Sequence, residues 1–226
     1  MQLSSGGATS ATSVPEALEH AATAFGHRPA ISLLLPSGRQ EQSFASVAQW
    51  AAKTAHWLQL DHAADDDTTV GVVGPPGWVP AVAALGAWWL GLRVVVGDVA
   101  AGADVVVAGP GSDGAVTVRW GYGFDGADAG ADGDMFTWVV QEFPDHPPPP
   151  RGDATSAAID QGAVVRSQHD LLEHWHGASG TAGVDGVAAW LDVAALRPLV
   201  AGRPTVLLGP GTTRAAADGD RVAAWV

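Results

Sequence analysis

TTVGVVGPPGWVPAVAALGAWWLGLRVVVGD, residues 68–98, decides the fold. A β-branched run (Val70–Val73) is followed by a Gly-Pro-Pro-Gly turn. A segment from Trp78 to Leu90 then carries apolar residues on every face, and Gly91 precedes a second β-branched run, Arg93–Val96. A helix without a polar face must be buried against a sheet. Strands that are apolar throughout belong to parallel sheets covered on both sides. Pro80 is tolerated because it falls in the first helical turn, and Gly91 supplies the stop.

Outward from this unit the alternation continues. PEALEHAATAF (15–25) has a proline in the first turn and helical spacing. Ala30–Leu35 reads as a strand and PSGR (36–39) as a turn. Ser43 is placed to cap a helix through Leu60. Beyond the central unit, Asp104–Ala108 and Ala115–Trp120 read as strands, GYGFDGADAGADGD (121–134) as an acidic loop and Met135–Gln141 as extended chain. PDHPPPPRGD (144–153) reads as a stiff polyproline linker. Ser167 opens a helix through His176, with strand Val187–Leu191, helix Val193–Val200, strand Thr205–Leu208 and helix Ala215–Trp225 expected after it.

LGLRVVVGD (90–98) and VAGRPTVLLGP (200–210) share an order of helix end, glycine, arginine and β-branched run. The expected architecture is therefore α/β: two similar, mostly parallel-sheet α/β subdomains packed together. The organisation expected is a disordered tail (1–13), a first subdomain (14–110), an irregular segment with the acidic loop and linker (111–153) and a second subdomain (154–226).

Composition limits the function. The net charge of −13 argues against nucleic acid and anionic membrane as partners. No run of about 18 apolar residues suggests a membrane span. The first 13 residues lack the basic start and apolar centre of a secretory signal. There is no cysteine, which removes disulfides and thiolate chemistry and fits a cytoplasmic protein. Lys53 is the only lysine, so any mechanism needing one must use it.

Several motifs invite a chemical reading. Gly109, Gly111 and Gly114 spell G-x-G-x-x-G, but a strand pattern follows where a dinucleotide site needs a helix. GPGTTR (209–214) follows a strand and offers amides, Thr212, Thr213 and Arg214 to an anion, or a plain turn capped by Thr213. His169, Glu173 and His176 recur along one helix face, which could recruit zinc, while His174 points elsewhere. Asp128, Asp132 and Asp134 hint at calcium, but Val139 stands where an EF-hand requires glutamate. No G-x-S-x-G elbow occurs. The ten tryptophans include Trp78, Trp88 and Trp89 on the central helix, expected in the core; any left exposed would mark a partner surface, and a homodimer is one use of such a helix.

EALEHAA (16–22), RPAISL (28–33), SFASVAQWA (43–51), DTTVGVV (67–73), PGWVPAVAALGAWWLGLRVVVGD (76–98), RSQHDLLEHW (166–175), GVDGVAAWL (183–191) and LRPLVAGRPTVLL (196–208) occur in the order of the opening of the AMP-forming adenylate-forming enzymes. From Val14 to Gly211 the chain resembles the N-terminal part of these acyl-CoA synthetases and adenylation domains, and also a small actinobacterial group similar to that part. The resemblance implies a glycine-rich phosphate loop, T-S-G-T-T-G-x-P-K-G, just before RSQHDLL. ATSAAIDQG (154–162) stands there. Thr155, Ser156 and Gly162 are what the resemblance leaves of the ATP-binding loop; the lysine is missing, and Asp160 would repel phosphate. GASGTAG (177–183) matches the motif better as text but follows the helix and reads as a loop.

The family's remaining motifs belong further along than Val226. The expectation is a catalytically silent relative with a binding or regulatory role, no catalytic residues and no cofactor, ATP or AMP being the group the family would imply. Its partner would be a small acyl or nucleotide ligand, or another protein. The alternative is the N-terminal fragment of a split ligase completed by another chain.

Overall fold

The computed structural model describes residues 10–123, 134–160, 164–184 and 190–225. In chain order the described elements are α1 (Val14–Phe25), β1 (Pro29–Leu35), β2 (Gly38–Ser43), α2 (Phe44–Leu60), β3 (Thr69–Val73), α3 (Trp78–Trp89), β4 (Arg93–Val96), β5 (Val105–Ala108), β6 (Val118–Arg119), β7 (Asp134–Met135), α4 (Phe136–Val140), β8 (Ala157–Asp160), β9 (Val165–Ser167), α5 (Gln168–Trp175), β10 (Thr181–Val184), α6 (Trp190–Ala195), α7 (Arg197–Ala201), β11 (Thr205–Leu208) and β12 (Val222–Trp225). None of these helices is long and apolar enough to cross a membrane.

The strands form two sheets, ordered β12-β10-β11-β1-β2 and β7-β6-β5-β3-β4-β8-β9. Pairing is parallel except for β1–β2 and β8–β9. The architecture is thus α/β with two mostly parallel sheets flanked by helices. The sheets interleave the chain: β1 and β2 join β10, β11 and β12, whereas β8 and β9 join the strands between residues 69 and 135. Register is set by the apolar runs themselves, with Ile31 opposite Thr205 and Val70 opposite both Val94 and Val105.

Helix α3 packs on β3 and β4 and against α1, α2 and α6, and all twelve of its residues are buried. Its fit depends on Gly86. A methyl there would come within 2.6 Å of the Thr54 side chain and 2.8 Å of the Ala51 carbonyl oxygen, so α2 can approach only a bare backbone. The carboxyl end of α3 gathers distant parts of the chain. The Trp88 indole donates to the Ala158 carbonyl (2.6 Å) and the Trp89 indole to the Pro148 carbonyl (2.7 Å). The Arg151 and Gly152 amides donate to the Trp89 carbonyl at 3.0 and 2.9 Å. Gln168, fully buried at the start of α5, donates to the Trp88 carbonyl (2.6 Å) and accepts from the Val14 amide (2.8 Å). The proline-rich segment is therefore docked on α3, and one side-chain amide ties together α1, α3 and α5.

Several sequence expectations need correction. GRQEQS is strand β2, paired antiparallel with β1; its polar alternation hides a strand with only Gln42 buried. Met135–Gln141 is mainly the short helix α4, because Phe136, Thr137 and Val140 bury at helical spacing. Only two residues of Ala115–Trp120 pair as a strand. The expected strand Val187–Leu191 falls partly outside the described residues, and Trp190 and Leu191 open α6. The strand in that region is β10, which takes the last three residues of the GASGTAG segment read as a loop and adds Val184. Val193–Val200 splits into α6 and α7, the latter starting at Arg197–Pro198. Ala215–Trp225 is not a helix: a 3-10 turn over Arg214–Asp220 leads into β12, which pairs with β10.

Two charged groups are buried beside α6 and α7. Asp192 is 6% exposed, accepts from the Val193 amide (3.0 Å) and lies 3.9 Å from Arg166. Burial raises its carboxyl above the ordinary value, against the weaker opposing pull of Arg166. Arg197, 5% exposed, donates to the Ser179 and Gly180 carbonyls, each at 2.9 Å.

Two substitutions test this packing. Gly86→Ala gains about 1 kcal/mol of helix propensity, but overpacking costs about 1–3 kcal/mol and a backbone carbonyl cannot yield cheaply. The melting temperature should fall, by about 2–4 °C per net kcal/mol. Gly102→Ala, with nothing within 4 Å, should stay within about 0.5 kcal/mol of the parent. Asp192→Asn keeps the acceptor for Val193 but cannot ionise. A carboxyl raised by folding contributes stability below its unfolded value near 3.8 and loses it as pH rises through the folded value. Thermal melts should therefore show Asp192→Asn more stable than the parent at pH 7, with the gap closing towards pH 3.8. A gap that widened in acid would refute this assignment.

Candidate functional site

The phosphate-loop position begins at a turn over residues 153–156. Thr155 and Ser156 sit there, before β8, and both serve a neighbouring carboxylate. The Thr155 amide and hydroxyl each lie 2.9 Å from Asp153 Oδ1, and the Ser156 amide and hydroxyl lie at 2.9 and 3.0 Å from the same oxygen. Four donors converge on one anion, and that anion belongs to the chain. The Thr155 hydroxyl, followed by Ser156, holds the Asp153 carboxyl below the ordinary carboxylate value.

The structure separates these residues from the rest of the expected loop. Thr155 and Ser156 precede β8, while the connection before RSQHDLL follows it. Strand β8 ends at Asp160 and β9 begins at Val165, leaving residues 161–164 to join them. At about 3.3 Å per residue, the four residues of β8 put Thr155 and Ser156 about 13 Å from that connection. Gly162 lies outside the described residues. Four connecting residues cannot hold a ten-residue glycine-rich loop. Asp160 at the strand end lies 3.7 Å from Arg93. Past β9, Ser167 caps α5 as expected, in a reciprocal capping box with Asp170.

The other motifs resolve as local structure. Lys53 is committed: it pairs with Asp145 at 2.9 Å and donates to the Gln141 carbonyl (2.8 Å) and the Phe143 carbonyl (2.5 Å). Glu173 meets His176 at 3.0 Å, and the His174 ring stacks edge-on against Trp175. Among the described residues no three His, Asp or Glu side chains converge as metal ligands. Asp134 lies in β7, and Asp128 and Asp132 are outside the described residues. Trp78, Trp88 and Trp89 are core residues, as expected, and Trp138 is 54% exposed.

The two Gly-Pro-Gly segments are equivalent turns. In each, the amide three residues on closes on the first glycine's carbonyl: Ser112 to Gly109 (3.2 Å) and Thr212 to Gly209 (3.1 Å). Proline stands second, and Gly111 and Gly211 stand third at φ +75° and +76°, the pattern of a type II turn. Each first glycine donates to the neighbouring strand, Gly109 to Val73 (2.8 Å) and Gly209 to Leu34 (2.9 Å). The turn explains why no dinucleotide helix follows Gly114. Thr213 makes no side-chain cap, and the Arg214 guanidinium lies over the Trp225 ring at 5.2 Å.

These turns wall a cleft of about 510 Å³ at the carboxyl ends of β1, β5, β6 and β11, where the two sheets meet. Pro36, Pro110 and Pro210 line it with Leu35, Tyr122, Ser37 and Gln40. The Tyr122 hydroxyl contacts the Pro76 carbonyl (3.3 Å), and Gln40 donates to the Tyr122 carbonyl. The crevice beyond strand carboxyl ends is where open α/β sheets generally bind ligands. Sequence reasoning expects a ligand in a crevice between subdomains but names none of these lining residues. The repeated strand–Gly–Pro–Gly signal was legible, but nothing in the sequence places Tyr122 and Gln40 against it. A second groove of about 530 Å³ runs between α1 and α2, floored by Leu18 and four alanines, with Glu19 and Asp145 among its lining residues.

No protein-family profile matches the chain. A Mycobacterium tuberculosis protein described only by a family number is 35% identical over 60 residues, which are 26% of this chain and 25% of that protein. Among solved structures, a Mycobacterium tuberculosis fatty acyl CoA synthetase superposes with a TM-score of 0.71 at 13% identity, over 95% of this chain and 49% of its own. The N-terminal domain of FACL13 from the same organism gives 0.71 at 15%, over 94% and 62%. A fatty acyl-adenylate ligase from L. pneumophila, in complex with acyl adenylate and pyrophosphate, gives 0.66 at 13%, over 89% and 40%. The chain thus spans less than two thirds of each of these proteins. The likeness is one of fold and runs the length of the described chain: this protein has the α/β fold of the N-terminal part of the adenylate-forming acyl-CoA synthetases and acyl-adenylate ligases.

Proposed function

We propose that this protein is a catalytically silent relative of the adenylate-forming enzymes that keeps the scaffold for a binding or regulatory role. One observation carries the reading: only residues 161–164 join β8 to β9, where the resemblance calls for a glycine-rich phosphate loop. Three others support it. The hydroxyls of Thr155 and Ser156 are engaged by Asp153. The only lysine is held by Asp145 and two carbonyls. Among the described residues, the crevice between the sheets is walled by prolines and uncharged groups and offers no nucleophile beside a base, which suits binding. A small acyl ligand in that crevice, or another protein, is the partner this reading expects.

The test is acid-dependent pyrophosphate exchange with ATP and magnesium, with calorimetric ATP titration in parallel. The purified chain should show no exchange with any fatty acid and no saturable heat of ATP binding. Tight ATP-magnesium binding lost in the Thr155→Ala, Ser156→Ala double variant would overturn the silent reading. Exchange appearing only when a co-purifying chain is present would replace it with a split ligase.

A further inference from the structure

The cleft at the strand carboxyl ends has a chemical character that narrows its ligand. We infer that it binds uncharged small molecules with an apolar body, of the amide, alcohol or ester type, in preference to carboxylates and nucleotides. This inference rests on the binding role proposed above and specifies its ligand.

Among the described residues, no lining side chain is charged. Prolines at 36, 110 and 210, with Leu35 and the Tyr122 ring, provide apolar surface, and Ser37 and Gln40 provide neutral hydrogen-bonding groups. A carboxylate or phosphate moved out of water into such surroundings meets no counter-charge and loses hydration it cannot replace. The guanidinium next to Gln40 does not help. Arg39 is engaged by Asp220 through two hydrogen bonds of 2.7 and 2.6 Å and by Glu41 at 3.3 Å. Arg119 on β6 donates to the Ser112 carbonyl (3.2 Å). The net charge of −13 adds long-range repulsion of anions. A neutral amide or hydroxyl faces none of these costs and can still exchange hydrogen bonds with Ser37.

The walls are also pre-ordered. The matched turns fix Pro110 and Pro210 through their own closing hydrogen bonds and through bonds to the adjoining strands. Gln40 is held by the Tyr122 carbonyl. Little conformational freedom is left to lose on binding, which favours modest-sized ligands. The volume of about 510 Å³ lies within the usual range for small-molecule sites.

Tyr122 is the only tyrosine, so it reports on the cleft alone. The full chain labelled with 3-fluorotyrosine should give one fluorine resonance. Octanamide should shift that resonance and raise the melting temperature by at least about 5 °C at a hundredfold excess over its Kd. Octanoate and ATP-magnesium, at equal concentration and neutral pH, should move neither. Ser37→Trp, which fills the cleft from an exposed turn, should abolish both responses to octanamide while melting like the parent. Octanoate or ATP shifting the resonance as strongly as octanamide would overturn the charge preference and leave the cleft as a binding site. No shift from octanamide, octanol, octanoate or ATP would reject the cleft as a site for any of them and overturn the inference, leaving the binding role to a protein partner. A melting response without a resonance shift would place the ligand elsewhere and overturn the inference.

Discussion

The carboxyl end of α3 is the constraint on which the other elements depend. The final turn of a helix leaves carbonyls without a partner inside it: those of Ala87 and Trp88 accept from the Leu90, Gly91 and Leu92 amides just past the helix, and that of Trp89 is met from distant chain. Gln168, Arg151 and Gly152 reach them from segments distant in sequence, while the two indoles of Trp88 and Trp89 donate outward to Ala158 and Pro148. Each bond satisfies a buried polar group and also fixes where a segment lies. The start of α1, the proline-rich strap, the entry to β8 and the start of α5 are all positioned against one helical turn. An unpaired buried group at this point would cost about 1–3 kcal/mol, so the arrangement is enforced by the penalty for breaking it as much as by the bonds themselves.

That junction is independent of the segment that joins β8 to β9. The bonds to α3 come from backbone groups and one glutamine, all outside the β8–β9 connection. A short β8–β9 connection with Asp160 beside Arg93 is therefore compatible with the packing of α5, whose capping box is set by Ser167 and Asp170. At the other end of β8, Asp153 gives the Thr155 and Ser156 donors an internal partner. The result is a self-contained turn, stable without a ligand.

Much of the fold was legible because its elements are strongly patterned. The apolar runs Thr69–Val73, Arg93–Val96 and Thr205–Leu208, the caps at Ser43 and Ser167 and the stop at Gly202 all emerge within a residue of expectation. Where the signal failed, tertiary context had outweighed local pattern. GRQEQS alternates polar residues on an edge, and TAGV carries a glycine because the Trp225 ring lies against Gly183. Arg214–Asp220 has helical composition but ends at Arg221 in a left-handed conformation that releases the chain into β12. The site was less legible than the fold. A textual match put Thr155 and Ser156 in a loop, whereas the strand after them places them at its opposite end. The cleft joins residues 35–40, 110, 122 and 210, which no local window contains.

The interleaving of the sheets bears on how the molecule is made. Strand β1 can form its hairpin with β2 as soon as both leave the ribosome, but its other edge pairs with β11, near the far end of the chain. Until then AISLLL presents an open, apolar strand edge in the nascent polypeptide. Such non-local closure is slow, and exposed edges of this kind invite aggregation. Biogenesis of this fold is thus a race between synthesis as far as Leu208 and self-association of its first strand.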